Sequence, residues 1–341
     1  MKKECILYKK LNSSTVQCTC CQNYCVLKKN EIGKCGVRQN INGKLFINVF
    51  GKAVSYNIDP IEKKPLYHFL PNTEIFSFGT VGCNFSCLFC QNWEISQTIK
   101  NTLLEENELG KDLKPEYIAD ICMQNFIKSI AYTYNEPTIF FEYAFETMKL
   151  AKSRGIKNIF VSNGFQSKEF WEIAKDYIDA INIDLKSFSD KFYSKICGGN
   201  LNGVLKNIEF IAKNTNIWLE ITTLIIPGEN DSKEELEKIA KFIASINKNI
   251  PWHISAFYPC YKMLKKQPTS GKKLIEAYEI GKVAGLNFIY IGNLDLPGYS
   301  DTYCPKCEEK LIKRIGYNVE IFYKKPGICH KCNEKLAGIW K

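Results

Sequence analysis

Arginine is scarce in this sequence, and long hydrophobic runs are missing. Only three of the 46 basic residues are arginines (Arg38, Arg154 and Arg314), and the formal charge of +10 rests on lysines scattered along the chain. Nucleic-acid surfaces lean on clustered arginine, so that class of partner is not expected. No uninterrupted apolar stretch of about 18 residues occurs. The opening Met1-Lys2-Lys3-Glu4-Cys5 turns polar again by Lys9 and Lys10. Neither a signal peptide nor a membrane span is expected. No P-loop, G-x-G-x-x-G or Ser-His-Asp order is found, and there is no internal repeat or low-complexity tract. What remains is a chain of 341 residues, 45% hydrophobic, long enough for one large folded domain with small appendages.

Cysteine is abundant and unevenly placed. Of sixteen cysteines, five lie in 18–35, three in 83–90 and four in 304–332. Secreted disulfide scaffolds are short and carry cysteine throughout, whereas a long cysteine-poor middle here separates clusters with the small gaps of metal knuckles. A reducing, cytoplasmic setting with several metal sites is expected.

From about residue 75 the pattern is repeated βα. Apolar runs at 75–78, 129–134, 157–162, 179–185, 216–226, 252–257 and 287–291 alternate with amphipathic segments. Pro115, near the start of one such segment, and Asp231-Ser232 with Glu234 and Glu235 at another mark helix N-termini. This alternation predicts a parallel sheet or barrel over 71–295. Before it, 1–70 forms a Cys-rich lobe with a strand over 44–50. After it, 296–341 reads as a small ribbon with strands at 311–315 and 319–323.

The segment Cys83-Asn84-Phe85-Ser86-Cys87-Leu88-Phe89-Cys90 sets three thiols at gaps of three and two, directly after the first barrel run. A ferredoxin would add a fourth cysteine, and its usual first gap is two. Three thiols on one loop hold three irons of a cubane and leave the fourth open to chelation by an amino and a carboxylate group. A zinc knuckle or three buried thiols would give the same pattern.

This spacing resembles the radical S-adenosylmethionine (SAM) signature. The stretch Asp59-Pro60-Ile61-Glu62-Lys63-Lys64-Pro65-Leu66-Tyr67-His68-Phe69-Leu70-Pro71, then Gly82-Cys83 and Cys90-Gln91-Asn92-Trp93-Glu94-Ile95-Ser96-Gln97, resembles the radical SAM member of the AmmeMemoRadiSam system. That group is similar to pyruvate formate-lyase activating enzymes, and the resemblance covers nearly the whole chain. It implies a partial (β/α)6-type TIM barrel with a Cys-rich N-terminal lobe and a C-terminal zinc-ribbon-like domain. It also implies an oxidoreductase-like enzyme in which a 4Fe-4S cluster on Cys83, Cys87 and Cys90 reductively cleaves SAM. The resulting 5′-deoxyadenosyl radical would abstract hydrogen from an unidentified protein or small molecule. An electron donor such as flavodoxin or ferredoxin is implied, with AMMECR1-like and Memo-like proteins as system partners. Two alternatives stand beside it, a glycyl-radical-enzyme activase and a non-catalytic metal-binding or electron-transfer module. Against the second, the fourth cysteine that a saturated cluster needs is missing near 83–90.

The same resemblance assigns further contacts at strand ends, where barrel sites gather. Asn135 and Glu136 match the motif holding the methionine amino group, although a strand-end Asn-Glu-Pro is also a turn and helix cap. Ser162 and Asn163 match a contact to the ribose or carboxylate, although Ser-Asn-Gly is also turn chemistry. Asp184 and Lys186 resemble an Asp-Leu-Lys that orients cofactor or substrate, or they satisfy each other.

Two appended sites complete the reading. Cys18, Cys21, Cys25 and Cys35 suit one tetrahedral or cubane site, zinc or a second iron-sulfur cluster, with Cys20 as an alternative neighbour. Cys304, Cys307, Cys329 and Cys332 form two C-x2-C knuckles with zinc-ribbon spacing. Cys122 reads as core, and Cys197 and Cys260 as core or as hydrogen-atom donors near the site. His253 faces the barrel mouth or is a satisfied strand histidine, and His68 and Tyr67 are packing residues. Tyr132 and Tyr134 alternate on one strand and should point the same way.

Overall fold

The computed structural model describes residues 2–100 and 109–341. Eight strands form one sheet in chain order: β1 (Ser55–Pro60), β2 (Glu74–Gly79), β3 (Ser129–Tyr132), β4 (Lys157–Ser162), β5 (Ala180–Asp184), β6 (Trp218–Ile225), β7 (Trp252–Ala256) and β8 (Ile289–Gly292). β1 is antiparallel to β2, and each pairing from β2 to β8 is parallel. The strands carry β-branched and aromatic residues buried on both faces, as a covered parallel sheet demands. β1 and β8 do not pair with each other. The sheet therefore stays open, and its seven parallel strands match the seven apolar runs, one more than the six of the partial barrel that the resemblance implies.

Helices Pro115–Gln124, Phe141–Ser153, Lys168–Ala174, Leu201–Asn214, Lys233–Ile246 and Gly271–Val283 make the crossovers. Ser167, Asn200, Ser232 and Ser270 cap four of them, each accepting a backbone N–H three residues on. Each cap contributes about 1 kcal/mol. Tyr132 packs between Phe78 and Phe160, and these two rings lie tilted against Phe140, Tyr143 and Phe170. Full burial of each such ring is worth roughly 1.5–3 kcal/mol. Tyr132 and Tyr134 do not share a face. The strand ends at Tyr132, and Tyr134 turns into the left-handed region (φ 67°), sending its ring elsewhere.

The bottom of the sheet is plugged. Ile61, Leu66, Phe69 and Leu70 pack on Ile75, Ala131, Ile159 and Ala180. Below them the terminal ribbon, strands Thr302–Tyr303, Lys310–Ile315 and Asn318–Ile321, docks through Leu311, Ile312 and Leu336 on Tyr67, Phe288 and Tyr290. Glu220 anchors this floor by accepting from the amides of Tyr67 (3.0 Å) and His68 (2.8 Å) and pairing with His253 Nε2 at 2.6 Å. His253 is thus a satisfied strand histidine on the floor. Residues 55–70 belong to the sheet and its plug, so a lobe boundary at 70 cuts through one packed unit.

The remaining N-terminal residues build two three-stranded antiparallel sheets. Arg38 fastens them to the segment that follows β3 through a buried ion pair with Glu142 and a 2.9 Å bond to the Ile139 carbonyl. No helix of the described residues is long and apolar enough to cross a membrane.

Candidate active site

The C-terminal ends of the parallel strands open into a cavity of about 670 Å³, within the usual range of ligand pockets. Cys83, Cys87 and Cys90 line it, on the loop that follows β2. Gly79 ends that strand because an added Cβ would lie 2.4 Å from the Thr133 carbonyl, so only glycine lets the loop lie against the next strand end. The loop is then held from behind. Ser86 and Leu88 donate their amides to the carbonyls of Cys197 (2.7 Å) and Ile196 (3.0 Å), and Lys100 Nζ bonds the Phe85 carbonyl. The Phe85 amide points at Cys83 Sγ (3.4 Å), and Ser96 Oγ lies 3.2 Å from Cys90 Sγ.

Asn135, Glu136, Ser162, Asn163, Asp184 and Lys186 all line the same cavity. Their partners separate their roles. Glu136 is buried; its Oε1 accepts from the Thr138 amide (3.1 Å), Thr138 Oγ1 and Ser162 Oγ (2.8 Å), and its Oε2 from the Asn163 amide (2.8 Å). Burial raises its pKa, while these donors favour the anion. Asn135 fixes the strand end, its Nδ2 donating to the Gly82 carbonyl at 2.8 Å. Lys186 Nζ sits 2.8 Å from Asp184 Oδ2 and above the Phe89 ring. Burial opposes its charge, but Asp184 and the thiols Cys87 and Cys197 outweigh it and raise the pKa well above the ordinary lysine value.

Further residues at the cavity wall and behind it carry no motif in the sequence. Lys64 and Tyr134 line the cavity, and Asp59 behind them accepts from Lys64 Nζ (2.6 Å) and Tyr134 Oη (2.8 Å). Burial works against the Asp59 anion, yet Lys64, Lys63 and Tyr134 hold its pKa far below the usual range. Asn84 receives Asn163 Nδ2 at 2.7 Å. Lys64 and Asp59 stood inside the quoted Asp59–Pro71 stretch, the one signal available for them. Thr222 and Leu224 also line the cavity, whereas Cys197 and Cys260 are not among its lining residues. Cys260 Sγ instead approaches the Cys90 carbonyl at 3.5 Å, and Cys122 lies in the core.

The appended cysteines form two separate groups. Cys304, Cys307, Cys329 and Cys332 bring their four sulfurs within 4.8 Å of one another, a tetrahedral ligand set for one ion. Cys18, Cys21, Cys25 and Cys35 line a second pocket with Cys20, Arg38 and Asn84.

Residues 78–243 match the Radical SAM superfamily. An uncharacterized protein of Methanocaldococcus jannaschii is 38% identical over 98% of both chains. A pyruvate formate-lyase-activating enzyme of Clostridium pasteurianum is 28% identical over 48% of this chain and 67% of its own. A radical SAM methyltransferase structure from Sphaerobacter thermophilus shares the fold, with a TM-score of 0.51 at 13% identity, covering 65% of this chain and 67% of that one. With a three-cysteine loop at the mouth of an open parallel sheet and these relatives, the chain carries a Radical SAM domain over 78–243 and is homologous to the activating enzymes of glycyl-radical enzymes.

Proposed function

We propose that Cys83, Cys87 and Cys90 hold a 4Fe-4S cluster with one iron open to SAM, and that the protein abstracts hydrogen from a protein or small-molecule substrate. The observation that carries this reading is that three thiols, with no fourth cysteine, share one cavity with a satisfied acid, two amides and a lysine. Once bound, the cluster and SAM would supply an electron and a sulfonium that splits into methionine and a 5′-deoxyadenosyl radical. The donors present suit such a group, since the Phe85 amide and the Ser96 hydroxyl aim at thiol sulfurs and favour their anions.

The protein's own part is placement and exclusion of water. Glu136 positions the Asn163 backbone and the Ser162 hydroxyl at the cavity wall. Lys186, kept charged by Asp184, presents a cation beside Cys87 and orients an anionic group there. Lys64 and Tyr134, held from behind by Asp59, line another part of the same cavity and would meet substrate there. A second reading, activation of a glycyl-radical enzyme, is favoured by relatives named for that activity and by the Asp184-Leu185-Lys186 motif. In either case the electron would come from a donor such as flavodoxin or ferredoxin. The stretch 59–71 supports membership of the AmmeMemoRadiSam group, with AMMECR1-like and Memo-like proteins as partners. Zinc is proposed at Cys304, Cys307, Cys329 and Cys332, where it staples the ribbon to the floor.

The test is electron paramagnetic resonance of the reconstituted, reduced protein with and without SAM. A spectrum that changes on adding SAM is expected, because an open iron gains ligands. An unchanged spectrum would favour a saturated carrier.

A further inference from the structure

The four N-terminal cysteines are a ligand set whose occupant the site above leaves undefined. Cys20, the alternative neighbour, is engaged elsewhere, its thiol donating to the Thr138 carbonyl at 3.0 Å. Cys18, Cys21, Cys25 and Cys35 are left facing the pocket. We propose, building on the reading of the Cys83 loop given above, that these four hold a second 4Fe-4S cluster and that electrons enter the Cys83 loop through it.

Sulfur spacing is the first support. With Zn–S bonds of about 2.3 Å, a tetrahedral zinc site sets its sulfurs about 3.8 Å apart. The terminal ribbon meets that, with Cys304–Cys332 at 3.5 Å, Cys307–Cys329 at 3.6 Å and all four sulfurs within 4.8 Å. Among the described residues no other three metal-ligating side chains gather within 4.8 Å. No three of the Cys18, Cys21, Cys25 and Cys35 sulfurs therefore gather as tightly as the ribbon's, and the same holds for Cys83, Cys87 and Cys90. Thiolates on separate irons must stand farther apart than thiolates on one ion, because a metal–metal separation is added between them.

Asn84 supplies a second, independent observation. It is 2% exposed and lines the N-terminal pocket, yet its Nδ2 has no hydrogen-bond partner. Its Oδ1 is fixed by Asn163 Nδ2 and its carbonyl by Asn23 Nδ2. A buried orphan donor costs about 1–3 kcal/mol, and an occupant rich in sulfide and thiolate acceptors would satisfy it.

The third observation is the wiring. The Cys83 amide donates to the Cys35 carbonyl at 3.2 Å. Gly82 makes room for this contact, since an added Cβ would lie 2.4 Å from that same oxygen. From Cys35 Sγ to Cys83 Sγ the path is all covalent bonds except this one hydrogen bond, and bond lengths keep the two sulfurs within about 14 Å. Direct electron tunnelling needs no further carrier over such a span. One electron from a low-potential one-electron donor reduces the N-terminal cluster from 2+ to 1+. That electron then passes on, returning the N-terminal cluster to 2+ as the Cys83 cluster goes from 2+ to 1+.

The experiment compares the full-length wild type with the Cys83→Ala, Cys87→Ala, Cys90→Ala triple variant. Both are reconstituted anaerobically with iron, sulfide and zinc, then assayed for metal and acid-labile sulfide and for paramagnetic signals after dithionite. The wild type should hold about eight irons and eight sulfides, and the variant about four of each, giving one uncoupled cluster signal. The reduced wild type should show a spectrum broadened by coupling between two neighbouring centres. An iron-free variant carrying two zinc ions per chain, beside a wild type with about four irons, would overturn the N-terminal cluster and leave the Cys83 reading intact. Equal iron in both proteins would instead overturn the Cys83 reading, and the electron path with it. Two clusters without coupling would overturn the path. If the variant is insoluble, wild-type iron decides the cluster alone, about eight atoms supporting it and about four with added zinc refuting it.

Discussion

Replacing Glu136 by glutamine tests whether this acid builds the cavity wall. Its two oxygens receive two backbone N–H groups, from Thr138 and Asn163, and two hydroxyls, from Thr138 and Ser162. The hydroxyls can rotate to accept from a new amide, but the backbone donors cannot. In Glu136→Gln one orientation sets Nε2 against the Asn163 N–H, and the other sets it against the Thr138 N–H. Either way one buried donor loses its partner, at about 1–3 kcal/mol, and the remaining bonds lose charge assistance. A total of about 2–4 kcal/mol follows, which for a chain of 341 residues lowers the melting temperature by roughly 3–5 °C. The Asn163 backbone would shift with it, so SAM affinity should fall by about tenfold or more, in line with the loss of one well-placed polar contact. Thermal melts at matched metal loading and SAM titration read both effects. A variant that melts within 1 °C of wild type and binds SAM equally would refute the assignment.

Further outcomes follow from other parts of the molecule. Lys186→Met should lower turnover of SAM by about tenfold or more while changing stability by no more than about 1 kcal/mol, its partner Asp184 being partly solvated; a melt that collapses instead would make Lys186 a structural residue. Burial pulls the His68 pKa down to about 4, against an ordinary value of 6.5. The unfolded chain therefore takes up the proton first, and stability should fall by about 3 kcal/mol as pH drops from 6.5 to 4. Urea midpoints across that window check this, and His68→Gln should flatten the dependence. Removing the ribbon metal with Cys304→Ser and Cys329→Ser should expose the chain beyond Asp301 to trypsin at Lys310, Lys313 and Lys324, read by mass spectrometry, whereas wild type resists.

The seven parallel strands were legible because each is a short apolar run between amphipathic helices, a signal carried within a few residues. β1 was not. Asp59-Pro60 reads as punctuation, yet proline is tolerated at the end of an edge strand, where its missing N–H costs no ladder bond. Cys83, Cys87 and Cys90 were legible for the same local reason, their spacing lying on a single loop. Asp59, Lys64 and Tyr134 meet only after folding sets β1 and β3 on either side of β2, so that Tyr134 past the end of β3 reaches Asp59, and no local pattern announces that. Tyr134 was misplaced because one left-handed residue past the strand end breaks the alternation that tied it to Tyr132. His68 and His253 belong to the floor because Glu220 lies between them, a relation across more than 150 residues. The C-terminal cysteines were readable as a pair of knuckles, but their docking through Arg314 and Tyr290 on the bottom of the sheet was not.

The most direct test of the central claim is production of 5′-deoxyadenosine from SAM by the anaerobically reconstituted, dithionite-reduced protein. Mass spectrometry would compare wild type with the Cys83→Ala, Cys87→Ala, Cys90→Ala variant. The account predicts 5′-deoxyadenosine and methionine from wild type and none above background from the variant. Equal amounts from both, or none from a wild type with an intact cluster, would contradict it.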